Sequence, residues 1–363
     1  MINLHNFRPL QQAGAIGAGG LFKLLMDKSS IMEKTQADVD FDRHSEFLSY
    51  YQREIENEVN RFEAKRILML TEVRKKIFTL GFIAGPLLLI ALVSALSFEA
   101  SRHLLTEPFV YIVLFALLMF ILWLITKPIK AFKSDIKSRI FPKIFAYFGE
   151  DFHYSETSRY NDPMAKLEPS KIVPSYDRES CEDFIKGSYK DVRLELFEAH
   201  LEDERRSNNS NHYTTVFRGL VVHLSMNKAF RGQTIIKRDI GKIGGFFRSK
   251  VSQLSQVKLE DPKFEKLFDV FSNDQIEARY LLTPSFMERL IQLDASIGRE
   301  NKIQASFYHG NLLLMIPTKK NLFETASVYE PIDFKQDAKI ILDEMNIIFS
   351  IIDTLKLYER SGL

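Results

Sequence analysis

The side chains able to do chemistry are few in kind and scattered in position. The single cysteine, Cys181, lies in Arg178-Glu179-Ser180-Cys181-Glu182-Asp183. The thiolate is the reactive form of cysteine, and neighbouring carboxylates disfavour it, so this setting raises the thiol pKa and reads as an inert thiol. One cysteine also leaves no intramolecular disulfide framework, so the folded domains need no oxidising compartment. The eight histidines are His5, His44, His103, His153, His200, His212, His223 and His309. None falls in the HExxH spacing or in a Cys-His zinc pattern. His223 sits between Val222 and Leu224 and reads as a strand residue, while His309 opens the turn signal His309-Gly310-Asn311. Glu195, Glu198, Glu202, Asp203 and Glu204 offer carboxylates. On a strand, Glu195 and Glu198 differ by an odd number and face opposite sides, so they form no obvious acid–base pair. GxSxG, Gly-Lys-Ser/Thr and kinase signatures are absent. The glycine-rich run Ala13–Gly20 has neither a preceding strand nor a closing Lys-Ser/Thr, so it fails as a phosphate loop. Asn208-Asn209-Ser210 matches a glycosylation sequon but is expected on a cytoplasmic face, where it is inert. The residues therefore name no catalytic, cofactor-binding or metal-ligating side chain, and no cofactor.

Composition narrows the class. The chain has 363 residues, 45% hydrophobic and 26% charged, with a formal net charge of +2. That balance gives no case for bulk nucleic-acid binding. The mean hydropathy of −0.12 looks soluble, so the informative feature is local. The N-terminus reads without a secretory signal, since Arg8 is not followed by a long apolar run.

Two runs carry no charge. Ile77–Phe98 has 22 residues and Phe109–Thr126 has 18. About 20 apolar helical residues cross a bilayer core, so the pair is predicted as a transmembrane hairpin, 77–98 and 109–126, kinked at Pro86. Glu99–Pro108 is the connector, and Trp123 suits an interfacial belt near the end of the second run. Arg61, Lys65, Arg66, Arg74, Lys75 and Lys76 precede the first run. Lys127, Lys130, Lys133, Lys137, Arg139 and Lys143 follow the second, and the connector holds only Arg102. The asymmetry predicts a multi-pass membrane protein with both termini cytoplasmic. A lipid bilayer is then an expected partner, and the basic flanks would attract anionic head groups.

The rest of the chain must position whatever these segments carry. Residues 1–37 are loosely patterned and read as a flexible segment. Residues 38–76 read as one cytoplasmic helix, with Leu48, Tyr51, Ile55, Val59, Phe62 and Met69 at spacings of three and four and Arg66 interrupting. It would pack either as a coiled-coil stalk or on a juxtamembrane helix over 127–150. Residues 151–175, with Pro163, Pro169 and Pro174, read as a linker or extended wrap. Residues 176–333 read as a cytoplasmic α+β domain. Val192–Leu201 alternates with period two, Glu202–Tyr213 reads as a polar hairpin loop, and Thr214–Met226 returns as a strand with a bulge at Gly219. Gln233–Lys237, Ile303–Tyr308 and Leu312–Ile316 are further strands. Asp274–Leu281 is a short helix, and Thr283-Pro284 opens another that runs to Ile297. Residues 334–363 read as an amphipathic helix that covers a sheet face or meets a partner helix. The fold class is thus α+β: a long N-terminal helix, a membrane hairpin, then an antiparallel sheet with helices.

Several short runs carry a family likeness: Phe217-Arg218-Gly219-Leu220, Phe230-Arg231-Gly232-Gln233-Thr234 and Leu259–Glu265. Asp274–Pro284 and Leu322-Phe323-Glu324 complete the set. On these the stretch from about Lys137 to Glu324 resembles the bacterial DUF3137 family of uncharacterised membrane proteins. The resemblance implies an inner-membrane setting and supplies no catalytic residue. The expected function is an anchored interaction or scaffold protein whose α+β domain binds a protein partner or self-associates. The alternative is a homo-oligomeric pore or stress-responsive effector. A third reading, a hydrolase, would require a deep polar cleft lined by perturbed carboxylates.

Overall fold

The computed structural model describes residues 24, 45–97, 108–159, 162–207, 210–228, 230–238, 253–297, 303–318, 321–324, 328–329, 334–355 and 357. Side chains at 83–97, 108–111, 113–115, 117–118, 206–207, 210–211 and 296–297 are not described. Residues 1–37 apart from Leu24, the connector beyond Ser97, His5, His44, His103 and Asn208-Asn209 lie outside the described residues. The chain divides into two units, one of residues 1–9, 141–324 and 338–363, the other of residues 10–140 together with 325–337.

The second of these is helical. Helix α1 spans Ser45–Glu54, α2 spans Glu56–Ser97 and α3 spans Pro108–Ala146. The buried stripe of α1 and α2 is Phe47, Tyr51, Ile55, Val59, Phe62, Arg66, Leu70 and Val73. Its spacing of three and four is that of one helix face. Leu48 and Met69, predicted on that face, are only half-buried. Arg66 belongs to the stripe instead of breaking it. Its guanidinium is fully buried, holds both Glu63 carboxylate oxygens at 2.6 and 2.7 Å, and donates to the Val328 carbonyl at 3.2 Å. On α3 the matching stripe is Ile125, Ile129, Phe132, Ile136 and Ile140. The two helices meet edge-on at Phe62 and Phe132, 5.9 Å between ring centroids, and Lys65 pairs with Asp135 beside them.

This arrangement corrects the membrane prediction. Among the described residues no helix is long and apolar enough to cross a membrane. The transmembrane hairpin and the multi-pass inner-membrane location are therefore withdrawn. The physical reason lies in the chain around the uncharged runs. What is described of the first run follows Glu72, Arg74, Lys75 and Lys76 on the same helix. What is described of the second continues into Lys127, Lys130, Lys133 and Asp135. A window of 18 residues within the stretches whose side chains are described, 65–82 on the first helix or 119–136 on the second, contains several charges, each costly in hydrocarbon.

The other unit is built on an antiparallel sheet. Its strands are β1 (His153–Ser155), β2 (Arg178–Tyr189), β3 (Val192–Ser207), β4 (Ser210–Ser225), β5 (Thr234–Arg238), β6 (Ser255–Gln256), β7 (Phe268–Ser272), β8 (Gln304–Tyr308) and β9 (Asn311–Pro317). They lie in the order β1-β2-β3-β4-β9-β8-β5-β7-β6. Between them run α4 (Pro262–Leu267), α5 (Gln275–Leu281) and α6 (Pro284–Ile297), and α7 (Phe334–Leu355) closes the described chain. Each short helix starts where a capping residue satisfies the first free N–H groups. Asp261 accepts from Lys263 and Phe264, Asp274 from Ile276 and Glu277, and Thr283 from Phe286. Residues 151–175 contain β1 and a 3-10 turn at Ala165–Ser170. Met164, Leu167, Ile172 and Val173 from this stretch pack with Phe197, Ala199, Leu201, Val221, Leu313 and Met315 in one core. Leu194 and Leu196, on the opposite face of β3, are buried as well, so the sheet is covered on both sides.

Two glycines show what holds the strands in register. His309 and Gly310 both take positive φ, 47° and 73°, the geometry of a two-residue hairpin turn between β8 and β9. Gly219 has φ 155°, and a Cβ there would sit 2.2 Å from the Ile316 carbonyl oxygen on β9. Gly310 has open space around it. Gly310→Ala is therefore expected to cost about 1–2 kcal/mol, the left-handed penalty alone. Gly219→Ala must push β9 off β4 and is expected to cost more than about 4 kcal/mol. Urea unfolding of the two variants against the parent checks the ranking.

Candidate functional site

Three places in the sheet unit combine unusual side chains or exposed backbone. The first is a cleft of about 410 Å³ lined by Asp151, Lys186, Arg193, Glu195, His223 and Ser225, with others around them. Glu195 lies opposite His223 in the β3–β4 register, and Lys186 pairs with Glu195 at 2.9 Å. His223 Nε2 lies 3.3 Å from the Tyr308 hydroxyl, and burial pulls its pKa below the usual imidazole value, which favours a neutral ring. The lining balances its charges, Asp151 and Glu195 against Lys186 and Arg193, and the buried carboxyls are not part of it.

Those carboxylates are elsewhere, as the odd spacing of Glu195 and Glu198 requires. At the β2 bulge the register skips between Glu182 and Ile185, and Asp183 takes φ 57°. Asp183 is fully buried and accepts from the Tyr154 hydroxyl at 2.5 Å. Glu198 accepts the Leu322 N–H at 2.5 Å, and Glu344, from α7, accepts the Phe323 N–H at 2.9 Å. Two buried carboxyls thus hold consecutive amides of one turn, whose Phe323 has φ 47° and packs edge-on against Phe145. Burial pushes Glu198 up to about 10, with Asp183 and Glu182 adding repulsion and the Leu322 amide opposing it. Burial likewise pushes Glu344 up to about 8, against the Phe323 amide and with help from Asp183, Asp343 and Glu324. Beside them, carboxylate oxygens of Glu182, Asp183 and Glu324 lie within 4.8 Å of one another. An all-carboxylate set is the donor type of Mg²⁺ or Ca²⁺. These residues are far apart in sequence, and only the bulge and the 322–324 turn bring them together.

The third place is the β3–β4 hairpin itself. The expected polar loop over Glu202–Tyr213 is mostly strand: β3 and β4 run 16 residues each and pair from Leu194–Leu224 out to Ser207–Ser210. Their neighbours stop short. β2 ends its pairing at Glu202, and β9 ends at Gly219. The hairpin therefore extends as a two-stranded arm. Asp177 caps part of the β3 edge, donating its amide to Glu202 at 2.9 Å and accepting the Glu204 amide at 2.7 Å. Among the described residues no strand pairs with 210–217 of β4 on the side away from β3. The arm carries exposed Tyr213, covered on one face by the Arg178 guanidinium at 4.2 Å, and exposed Val216 at a register shift.

The other residues singled out from the sequence are structural. Burial, then Glu179, Asp162 and Glu182, push the Cys181 thiol pKa up, in line with an inert thiol. His309 serves the hairpin turn, and His200 meets Thr215 at 2.9 Å. The motif runs explain one another. Glu277 accepts the Arg231 and Gly232 amides at 2.7 and 2.5 Å, and a Cβ on Gly232 would meet that carboxylate at 2.4 Å. Asn273 accepts the Gln233 amide at 2.7 Å. Phe230–Thr234 and Asp274–Leu281 are thus two sides of one clasp.

An antiparallel α+β sheet protein with shared residues spent on clasps and turns is the class these features define. Residues 215–357 match the family described as a protein of unknown function, DUF3137, which supports the family resemblance over that stretch. The match begins inside β4 and reaches α7, later at both ends than the resemblance suggested. No curated protein matches. Among solved structures, the crystal structure of the mycobacterial trehalose monomycolate transport factor A, TtfA, is similar at 9% identity. The likeness covers 56% of this chain and 88% of that one with a TM-score of 0.26, too low to carry an argument.

The carboxyl pair sets a pH dependence. Both groups are raised in the folded protein above the ordinary Glu value of about 4.3, so the folded state binds the extra protons. Their contribution is fully present below that ordinary value. Stability then falls as pH rises, through about 8 for Glu344 and about 10 for Glu198. Glu198→Gln and Glu344→Gln keep an acceptor for each amide and remove the ionisation. Each variant is expected to gain several kcal/mol on the parent at pH 9 relative to pH 5, Glu198→Gln the more, as read by urea unfolding at both pH values.

Proposed function

We propose that the protein is an interaction or scaffold protein whose α+β unit holds an extended segment of a protein partner along the β4 edge. The observation that carries this reading is the arm: two 16-residue strands whose outer halves have no described strand beside β4. An unpaired strand edge presents a row of N–H and C=O groups, which an incoming strand satisfies while neighbouring side chains set specificity. Tyr213 and Val216 supply the exposed anchors. The pore alternative needs membrane-crossing helices, and none is found among the described residues. The hydrolase alternative is disfavoured because Glu198 and Glu344 do not line the cleft.

A photo-crosslinking amino acid placed at Tyr213 or Val216 in cells is expected to trap a defined protein, identified by mass spectrometry. The same group at Glu288, on α6, is expected to leave it untrapped. With that protein purified, Val216→Lys and Tyr213→Lys are expected to weaken binding by roughly tenfold while the melting temperature holds. Equal trapping from all three positions, or unchanged affinity, would overturn the reading. Trapping of a second copy of the chain alone would replace partner binding with self-association.

A further inference from the structure

One face of the sheet changes character along its strands. Phe197, Ala199 and Leu201 of β3 and Val221 of β4 pack with Met164, Leu167, Ile172 and Val173 in the core. Two residues further along the same strands, the two-residue repeat sets Arg193, Glu195, His223 and Ser225 on that same face. None of these four belongs to the core cluster, and all four line the cleft of about 410 Å³. Small-molecule sites are concavities of about this size with a few convergent polar groups.

Strand register fixes the lining in two rows. Lys186, Glu195 and His223 are paired across β2, β3 and β4. Ser188 pairs with Arg193, whose amide donates to the Ser225 hydroxyl at 2.8 Å, and Ser225 pairs with Asn311 on β9. Asp151 joins the lining from the turn before β1, two residues ahead of His153, which pairs with Lys186. Phe152 anchors that turn. Its ring occupies the space over Gly187, where a Cβ would come within 2.7 Å of it. The wall that carries Asp151 is therefore built onto β2.

The charges of the lining state what it would hold. Lys186 and Glu195 satisfy each other at 2.9 Å. Asp151 and Arg193 have no side-chain ion pair or hydrogen bond among the described residues. The Ser225 hydroxyl accepts an amide and keeps its own proton to donate. The Asn311 amide nitrogen donates to the His309 carbonyl at 2.8 Å, which leaves the Asn311 carbonyl oxygen as an acceptor. An anion in the cleft would face Asp151 unpaired, and a cation would face Arg193 unpaired. A molecule that carries both charges answers both at once, and a guanidinium grips a carboxylate through two parallel N–H donors.

We infer that the cleft binds a free amino acid as a zwitterion. Its carboxylate meets Arg193 and the Ser225 hydroxyl, its ammonium meets Asp151, and its side chain lies towards the half-buried His223. This goes beyond the partner reading, which uses the outer β4 edge and none of these residues.

The full chain is titrated calorimetrically with each of the common amino acids singly, and then with the N-acetyl and carboxamide forms of those that bind. At least one free amino acid is expected to bind, and blocking either end is expected to weaken it roughly tenfold or more. Arg193→Gln and Asp151→Asn are each expected to weaken it by a similar factor. Both side chains are exposed, so the melting temperature is expected to hold. Binding of none of the amino acids overturns the inference. So does a blocked form that binds as tightly as its parent, or an affinity that both variants leave unchanged. None of these outcomes bears on trapping at Tyr213, so this inference and the partner reading fail separately.

Discussion

A carboxyl group removed from water must either find a donor or give up its charge, and this sheet unit is organised around two that do both. Glu198 on β3 and Glu344 on α7 accept the neighbouring amides of Leu322 and Phe323. The turn they hold would otherwise bury two unsatisfied N–H groups, each a loss of about 1–3 kcal/mol. The two groups sit beside Asp183, Glu182 and Glu324, so ionising either one adds repulsion to the cost of burial. The arrangement ties a strand, a helix and a turn that are more than a hundred residues apart at their extremes. It also gives Leu322-Phe323-Glu324, one of the runs of family likeness, a structural role.

The same logic runs through the other clasps. Glu277 holds Arg231 and Gly232, Asp274 caps α5, and Asp177 covers part of the β3 edge. Arg66 does it with the opposite charge, in the middle of an apolar helix face. These charged side chains are spent on backbone and helix ends, and among the described residues two kinds of surface are left exposed. One is the backbone edge of the β3–β4 arm. The other is the aromatic and basic surface of the long helices.

Much of the element plan was legible in advance because it depends on local physics. Period-two alternation marked Val192–Leu201, the turn signal His309-Gly310 marked the β8–β9 hairpin, and Thr283-Pro284 marked the start of α6. The expected loop at Glu202–Tyr213 went the other way. Its charges suggested solvent, and solvent is what surrounds an arm, but polar residues do not prevent pairing between two strands already joined by a turn. The membrane hairpin was read from two uncharged runs together with their basic flanks. Among the residues whose side chains are described, those flanking charges fall within any span-length window on either helix.

From its residues alone this chain determined an α+β character, the short helix starts, the inert setting of Cys181 and the opposite facing of Glu195 and Glu198. These follow from turn chemistry, capping and the two-residue repeat of a strand, which act within a few positions. Only the tertiary structure decided that Glu198 and Glu344 share one turn, that Glu182, Asp183 and Glu324 converge, and that Arg66 is satisfied inside a helix face. Those outcomes depend on which distant segments share a low-dielectric space, and no local spacing encodes that.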